Sequence, residues 1–309
     1  MRLSHLLATT GLALGLALPA VPASAADWGK VADALGKAGT EMPGGVYRVG
    51  LPRTDLKVTL DGVEIKPALA LGSWLAFAEH GQGEVMVMGD LVLTDEEVNP
   101  VMKRLVEGGL EVTALHNHLL RNTPHTIYMH VGGHGDPVEV ATTLREAIAL
   151  SKTPLGNATA SADQQPPAAG APAAQPQPLA LDTAMIDRVL GAKGRANGGV
   201  YQVSLRRAEA IKDGGMDVPE AMGSAQAINF QPTGEGRAAI TGDFVLTATE
   251  VNPVLRTLRE NGIEVTALHN HMLDDRPRLF FMHFWANDDA AKLAKGLRAA
   301  LDRVNLAKS

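Results

Sequence analysis

Apolar and polar positions along the chain fall into one series of segments that is written twice. Short helical patterns open each series at Trp28–Ala38 and Thr183–Ala192. A strand follows each at the Gly-Gly-Val-Tyr segments, Gly44–Tyr47 and Gly198–Tyr201, and residues Thr54–His80 read as further strands. Glu84–Leu93 and Ala238–Leu246 are strands. Thr94 and Thr247 then start helices, since each has Glu three residues on, the spacing of a capping box. Asn-Pro at 99–100 and 252–253 offers a later start, with Asn as cap and Pro at the first helical position. Either way the helix ends at Gly109 or Gly262. The pattern continues with a hairpin, Leu110–Leu120 with Thr126–Val131, and a closing amphipathic helix, Pro137–Ser151. Its second copy is Ile263–Leu273, Arg278–Trp285 and Asp288–Val304. The order strand–helix–strand–strand–helix predicts an α+β fold: two tandem ferredoxin-like (split β-α-β) layered domains with extra N-terminal strands.

The duplication is strong enough to count. Thr94–Leu120 laid over Thr247–Leu273 gives 18 identities in 27 columns. Gly89-Asp90 matches Gly242-Asp243, and Met129-His130 matches Met282-His283. The repeats span 27–152 and 181–309. Between them, 153–180 holds six prolines and nine alanines but no Lys, Arg or aromatic residue. Such a segment cannot bury enough apolar area to offset its ordering entropy, so it predicts a disordered tether.

Composition narrows the function classes. With Lys+Arg 28 against Asp+Glu 34, the chain is acidic, which argues against nucleic acid as a partner. Cysteine is absent, so disulfides, thiolate metal sites and Cys nucleophiles are excluded. Residues 1–25 carry Arg2, an apolar run from Leu6 to Val21, and the small-x-small site Ala23-Ser24-Ala25, which predicts a signal peptide and a periplasmic or secreted product. The run is shorter than the roughly 20 residues a spanning helix needs, so no stable membrane insertion is expected.

The candidate chemistry lies in the histidines. His116 and His118 are two apart on a predicted strand and so share a face. A hairpin centred near Thr123 sets His116 opposite His130 and His118 opposite Tyr128. In the second copy, His269 falls opposite His283 and His271 opposite Phe281. Three imidazoles per half suit one divalent ion, zinc or copper, with a position left for water or substrate. The alternative is a polar seam of hydrogen-bonded histidines. The string His-Asn-His matches HNH nucleases in name only, because the chain is acidic and lacks their ββα-metal arrangement. His80, His125 and His134 have no second copy and read as surface or turn residues.

Repeated carboxylates come next. Glu97 and Glu250 are candidate general bases for a metal-bound water, although helix capping accounts for them as well. Asp90 and Asp243 follow Gly in mid-strand and are candidate partners holding a histidine ring nitrogen. Glu111 and Glu264, with Asn117 and Asn270, face away from the histidines by strand parity.

With TxxEVNPVxxxLxxxGxEVTALHNHxL present twice and Met-His after it, the chain resembles the LppY/LpqO family of exported bacterial proteins. That resemblance covers nearly the whole mature chain and implies export without an established activity. The family takes its name from lipoproteins, and this chain has no cysteine to lipidate. Three functions are therefore expected to compete: a protein binding metal ions, a metal-dependent hydrolase or lyase acting on a small periplasmic molecule, and a metal-free cell-envelope binding module.

Overall fold

The computed structural model describes residues 26–81, 83–156 and 179–308. The expected signal peptide and most of the expected tether lie outside these residues. The first half runs α1 (Trp28–Leu35), β1 (Thr40–Met42), β2 (Val46–Pro52), β3 (Val58–Leu60), β4 (Val63–Ile65), α2 (Pro67–Ala70), β5 (Gly72–Glu79), β6 (Val85–Leu93), α3 (Asp95–Glu107), β7 (Glu111–His116), β8 (Ile127–Gly135) and α4 (Pro137–Ile148). The second runs α5 (Thr183–Leu190), β9 (Arg195–Asn197), β10 (Val200–Leu205), β11 (Lys212–Asp213), β12 (Met216–Asp217), a 3-10 turn (Glu220–Met222), β13 (Gln226–Gly234), β14 (Arg237–Thr247), α6 (Ala248–Glu260), β15 (Glu264–His269), β16 (Asp275–Arg276), β17 (Leu279–Asp289) and α7 (Ala290–Leu301).

Each half builds one six-stranded antiparallel sheet, in the order β1-β2-β5-β6-β8-β7 and β9-β10-β13-β14-β17-β15. The β6–α3–β7 unit is split, because β8 lies between its two strands. Next to β6, on the other side, stands β5, which precedes it in the chain. Six strands and this connection differ from a plain four-stranded layer. Among the described residues no helix is long and apolar enough to cross a membrane.

Strand β6 is buried along its whole length, and its parity sorts two cores. Val85, Val87, Leu91 and Leu93 face α1, α3 and α4 in a core belonging to the first half alone. Met86, Met88 and Val92 face the opposite way, toward the second half. Those cores mix the halves: Val46, Met86 and Met88 pack with Met222, Val245 and Phe281. Leu69, Val92 and Tyr128 pack with Val200, Ala239 and Trp285. Beside its own core, each of the two tandem domains therefore has an apolar sheet face that the other covers.

The segments between β2 and β5, and between β10 and β13, act as exchanged straps. Residues 54–71 of the first half lie on the second, where Gln231 Nε2 donates to Glu64 O at 2.7 Å and Gln202 Nε2 to Ala68 O at 2.9 Å. Trp285 Nε1 donates to Asp61 Oδ2 at 3.0 Å. In return, Arg48 Nη1 donates to Ala221 O in the second half's strap. Beyond Ile148, Leu155 still packs on the first core and Thr153 is buried, so the first fold reaches past the expected boundary at 152.

Thr94 and Thr247 start their helices with complete capping boxes, and the later start at Asn-Pro is overturned: Pro100 and Pro253 lie inside α3 and α6. Glu97 and Glu250 also bind buried arginines. Arg53 Nη1 donates to Glu97 Oε2 at 2.7 Å and to Val92 O at 2.6 Å, while Asp55 takes its other edge. Arg207 repeats this with Glu250, Val245 O and Glu209. Removing one partner of a buried pair strands the other. Arg53→Ala should therefore cost about 3–5 kcal/mol, read as a lower urea midpoint, and an unchanged midpoint would contradict the role assigned to this pair.

Candidate metal centre

Asp90 lies directly across from His130 on β8, and Asp243 across from His283 on β17. The glycines before these aspartates let the strands close up: a Cβ at Gly242 would stand 1.8 Å from Ala227 O. The same glycines present their carbonyls to the rings. His130 Nδ1 lies 3.3 Å from Gly89 O and His283 Nδ1 2.8 Å from Gly242 O. His116 Nδ1 and His269 Nδ1 face Asn117 O and Asn270 O at 3.1 and 3.0 Å. A carbonyl only accepts, so in these four rings Nδ1 carries the proton and Nε2 is left with its lone pair, the form that ligates a metal.

The hairpin register differs from the expected one by two residues. His116 pairs with Tyr128, and it is Ala114 that pairs with His130. In the second half His269 pairs with Phe281 and Ala267 with His283. Strands β7 and β15 end at His116 and His269, so His118 and His271 sit in the following loops. A bulge between Val112 and Ala114, repeated between Val265 and Ala267, shifts the pairing. The bulged threonines reach the other half: Thr113 Oγ1 donates to His271 O at 2.6 Å and Thr266 Oγ1 to His118 O at 2.5 Å. Asn117 Nδ2 donates to Thr266 O, and Asn270 Nδ2 to Thr113 O. The asparagines face away from the histidines by parity and clasp the two halves. Glu111 is exposed, while Glu264 departs from expectation by pairing with Arg121 of the first half at 2.8 Å.

This clasp brings all six histidines into one cluster. His116 stacks on His269 with centroids 3.4 Å apart, His118 on His283 at 3.7 Å and His130 on His271 at 3.7 Å. Tyr128 and Phe281 cap the outer ends at 3.5 and 3.4 Å. Four sets of ligand atoms lie within 4.8 Å of one another: Asp90, His118 and His130; Asp243, His271 and His283; His116, His118, His269 and His283; and His130, His269 and His271. The expected trio of His116, His118 and His130 is not among these sets, nor is its counterpart in the second half. A carboxylate stands where the third imidazole of each half was expected, and the remaining histidines mix across the interface. Asp90 and Asp243 thus lie on the Nε2 side of His118 and His271, while in four of the six rings Nδ1 faces a backbone carbonyl.

His118 Nε2 is 3.6 Å from Asp90 Oδ2, and His271 Nε2 is 3.4 Å from Asp243 Oδ2. Around a tetrahedral ion with bonds of about 2.0–2.1 Å, neighbouring ligand atoms lie roughly 3.3–3.4 Å apart. Nε2 of all six histidines, with Oδ1 of both aspartates, is buried without a hydrogen-bond partner among the described residues. Buried polar atoms are ordinarily paired, so eight unpaired ones together set this cluster apart as the candidate site. Glu97 and Glu250 are not in any set. Their oxygens are taken by arginine, by Thr94 N and Lys152 N, and by Thr247 N and Asn305 N. His125 pairs with Asp95 at 3.0 Å, and His80 packs edge-on to His134, all outside the cluster. A cavity of about 400 Å3 lined by Leu115, His116, Asn117, Arg121 and His125 opens beside the cluster.

Burial dominates the protonation of these groups. It pushes His116 down to about 4 and His269 to about 3, and holds the other four imidazoles well below their ordinary value, helped by their neighbours' charge. Burial raises Asp90 to about 8 against the pull of Arg48. It raises Asp243 well above the usual range, with Asp90 adding to the rise.

Residues 29–150 and 184–303 each match the family described as Domain of Unknown Function (DUF1259), and the chain belongs to that family as two tandem copies. No curated protein matches it. Two solved structures align with it. A trimeric bacterial microcompartment shell protein, PduB, is 13% identical, covering 86% of this chain and 92% of that one at a TM-score of 0.20. EtuB from Clostridium kluyveri is 10% identical over 86% and 89%, at 0.19. At such TM-scores neither likeness bears on fold or function.

Without metal, the stability profile follows from the shifts. The unfolded chain takes up protons on the six imidazoles below about 6.5 while the folded cluster resists them, so stability falls as pH drops from about 6.5 towards 4. The two carboxyls act oppositely, holding protons that the unfolded chain releases, so stability also declines as pH rises to about 8. The melting temperature of chelator-treated protein should peak between about pH 6.5 and 7. His116→Asn with His269→Asn should flatten the acid limb; an acid limb of unchanged slope would contradict the account.

Proposed function

We propose that this protein is an exported metal-binding protein whose two halves jointly hold two divalent transition ions. Asp90, His118 and His130 ligate one ion, and Asp243, His271 and His283 the other. His116 and His269, stacked between them, complete both coordination shells. The single observation that carries this is the set of six partnerless, buried Nε2 atoms beside two partnerless carboxylate oxygens. Two imidazoles and a carboxylate suit zinc, our first choice, with copper second; that donor set is also one that iron(II) accepts. The resemblance to LppY/LpqO proteins and the signal-like first 25 residues support a periplasmic or secreted location. Each half is also best read as a rearranged ferredoxin-like layer, with β5 or β13 beside β6 or β14 in the place that a strand after the last helix would otherwise take.

A second reading, a metal-dependent hydrolase or lyase, is favoured by the cavity beside His116, which would give a small molecule access to an ion. In that reading the ion itself activates water, because Glu97 and Glu250 are engaged elsewhere.

Elemental analysis of protein purified without a histidine tag should find about two ions per chain. His118→Ala with His130→Ala should leave at most one and weaken its binding, since both rings stack on ligands of the other half. Full retention of both ions would overturn this ligand assignment, and binding of zinc and copper weaker than about millimolar would return the metal-free binding module as the better description.

A further inference from the structure

The two ligand sets are related residue by residue, yet their surroundings are not. On the interface face of the first sheet, Trp74 of β5 lies directly opposite Asp90. The guanidinium of Arg48, from β2, sits over the Trp74 ring at 4.0 Å from its centroid, with Nη1 donating to Ala221 O of the second half's strap. In the second sheet, the residue opposite Asp243 is Ala227, so Trp74 has no aromatic counterpart. The residue matching Arg48, four positions beyond the repeated Gly-Gly pair's first glycine, is Gln202. Its amide donates to Ala68 O and carries no charge. One half therefore keeps a cation on the flank of its carboxylate; the other has a neutral amide at the matching position, and its nearby Arg195, across from Gln202, bears on Arg48 rather than on Asp243.

We propose that Arg48 makes the two ion positions unequal, so that the position of Asp243, His271 and His283 fills first and that of Asp90, His118 and His130 second. This rests on the two-ion reading of the cluster. A fixed guanidinium acts twice against an arriving dication: it repels the ion, and it attracts the Asp90 carboxylate that the ion needs. Asp90 is buried and Arg48 half-buried, so the pair is screened less than charges at the surface. The contrast in the carboxyls agrees, since the pull of Arg48 is felt at Asp90, whereas Asp243 feels only burial and the neighbouring Asp90. The outcome is a strongly held ion beside a more readily exchanged one. The exchangeable ion lies on the half that carries the cavity next to His116.

Calorimetric titration of chelator-stripped, full-length protein with zinc tests this. Wild type should show two steps separated by at least about tenfold in affinity, equal to ~1.4 kcal/mol. Arg48→Gln, which gives the first half the residue of the second, should bring the steps within about threefold by tightening the weaker one. Arg48→Lys keeps the charge and should keep the separation, which distinguishes charge from loss of packing on Trp74. Asp243→Asn should remove the tighter step and Asp90→Asn the weaker. Two equal steps in wild type, or a separation that Arg48→Gln leaves unchanged, would overturn the inference while leaving two-ion binding intact. Absence of any zinc step would instead overturn the two-ion reading beneath it.

Discussion

Six imidazole nitrogens and two carboxylate oxygens are buried together with no hydrogen-bond partner among the described residues, and the packing of the two halves has to bear that cost. Leaving a buried acceptor unmet costs about 1–3 kcal/mol, so eight of them would oppose any ordinary interface. What offsets the cost from the protein side is apolar burial. The two cores shared between the halves, built on exchanged straps, hold the sheets face to face on either side of the cluster. The clasp of Thr113, Asn117, Thr266 and Asn270 then fixes the depth at which the rings meet. A bound cation would satisfy the orphaned atoms directly and turn the most costly part of the interface into its strongest contact.

Much of this was legible in the residues. The duplication announced itself through the repeated segments, and the Glu-Val-Asn-Pro run was readable as a capped helix because Thr and Glu stand at the spacing that satisfies the first backbone donors. The residues of the cluster were legible from His-x-His and the later histidine, whose repetition singled them out from His80, His125 and His134. Their grouping within each half was not correct. Strand parity held for the histidines, but register did not: Ala114–His116 and Ala267–His269 pair regularly with the facing strands, two residues off the expected alignment. The expected hairpin also assumed a tight turn, whereas His118 and His271 lie in loops beyond the strand ends.

The larger omission concerned the meeting of the halves. A Pro/Ala-rich connection suggests independence, and no pattern within one repeat reveals that its exposed sheet face is complementary to the other. A signal was available in the parity of β6 and β14, where apolar residues occupy both faces of the strand although the helices can cover only one. Asp90 and Asp243 were visible as repeated Gly-Asp pairs, but their side of the rings depends on the backbone carbonyls that occupy Nδ1. Glu97 and Glu250 show the converse: repetition marked them as candidates, yet what is repeated is a buried arginine pair that anchors a helix start.

Anomalous diffraction from crystals of the zinc-loaded full-length protein asks whether both halves jointly hold one metal centre. The account predicts two zinc peaks inside the interface, one bonded at about 2.0–2.2 Å to Asp90, His118 and His130 and the other to Asp243, His271 and His283. Peaks on the outer surface of each half, or an interface without a peak at zinc concentrations that saturate the protein in solution, would contradict it.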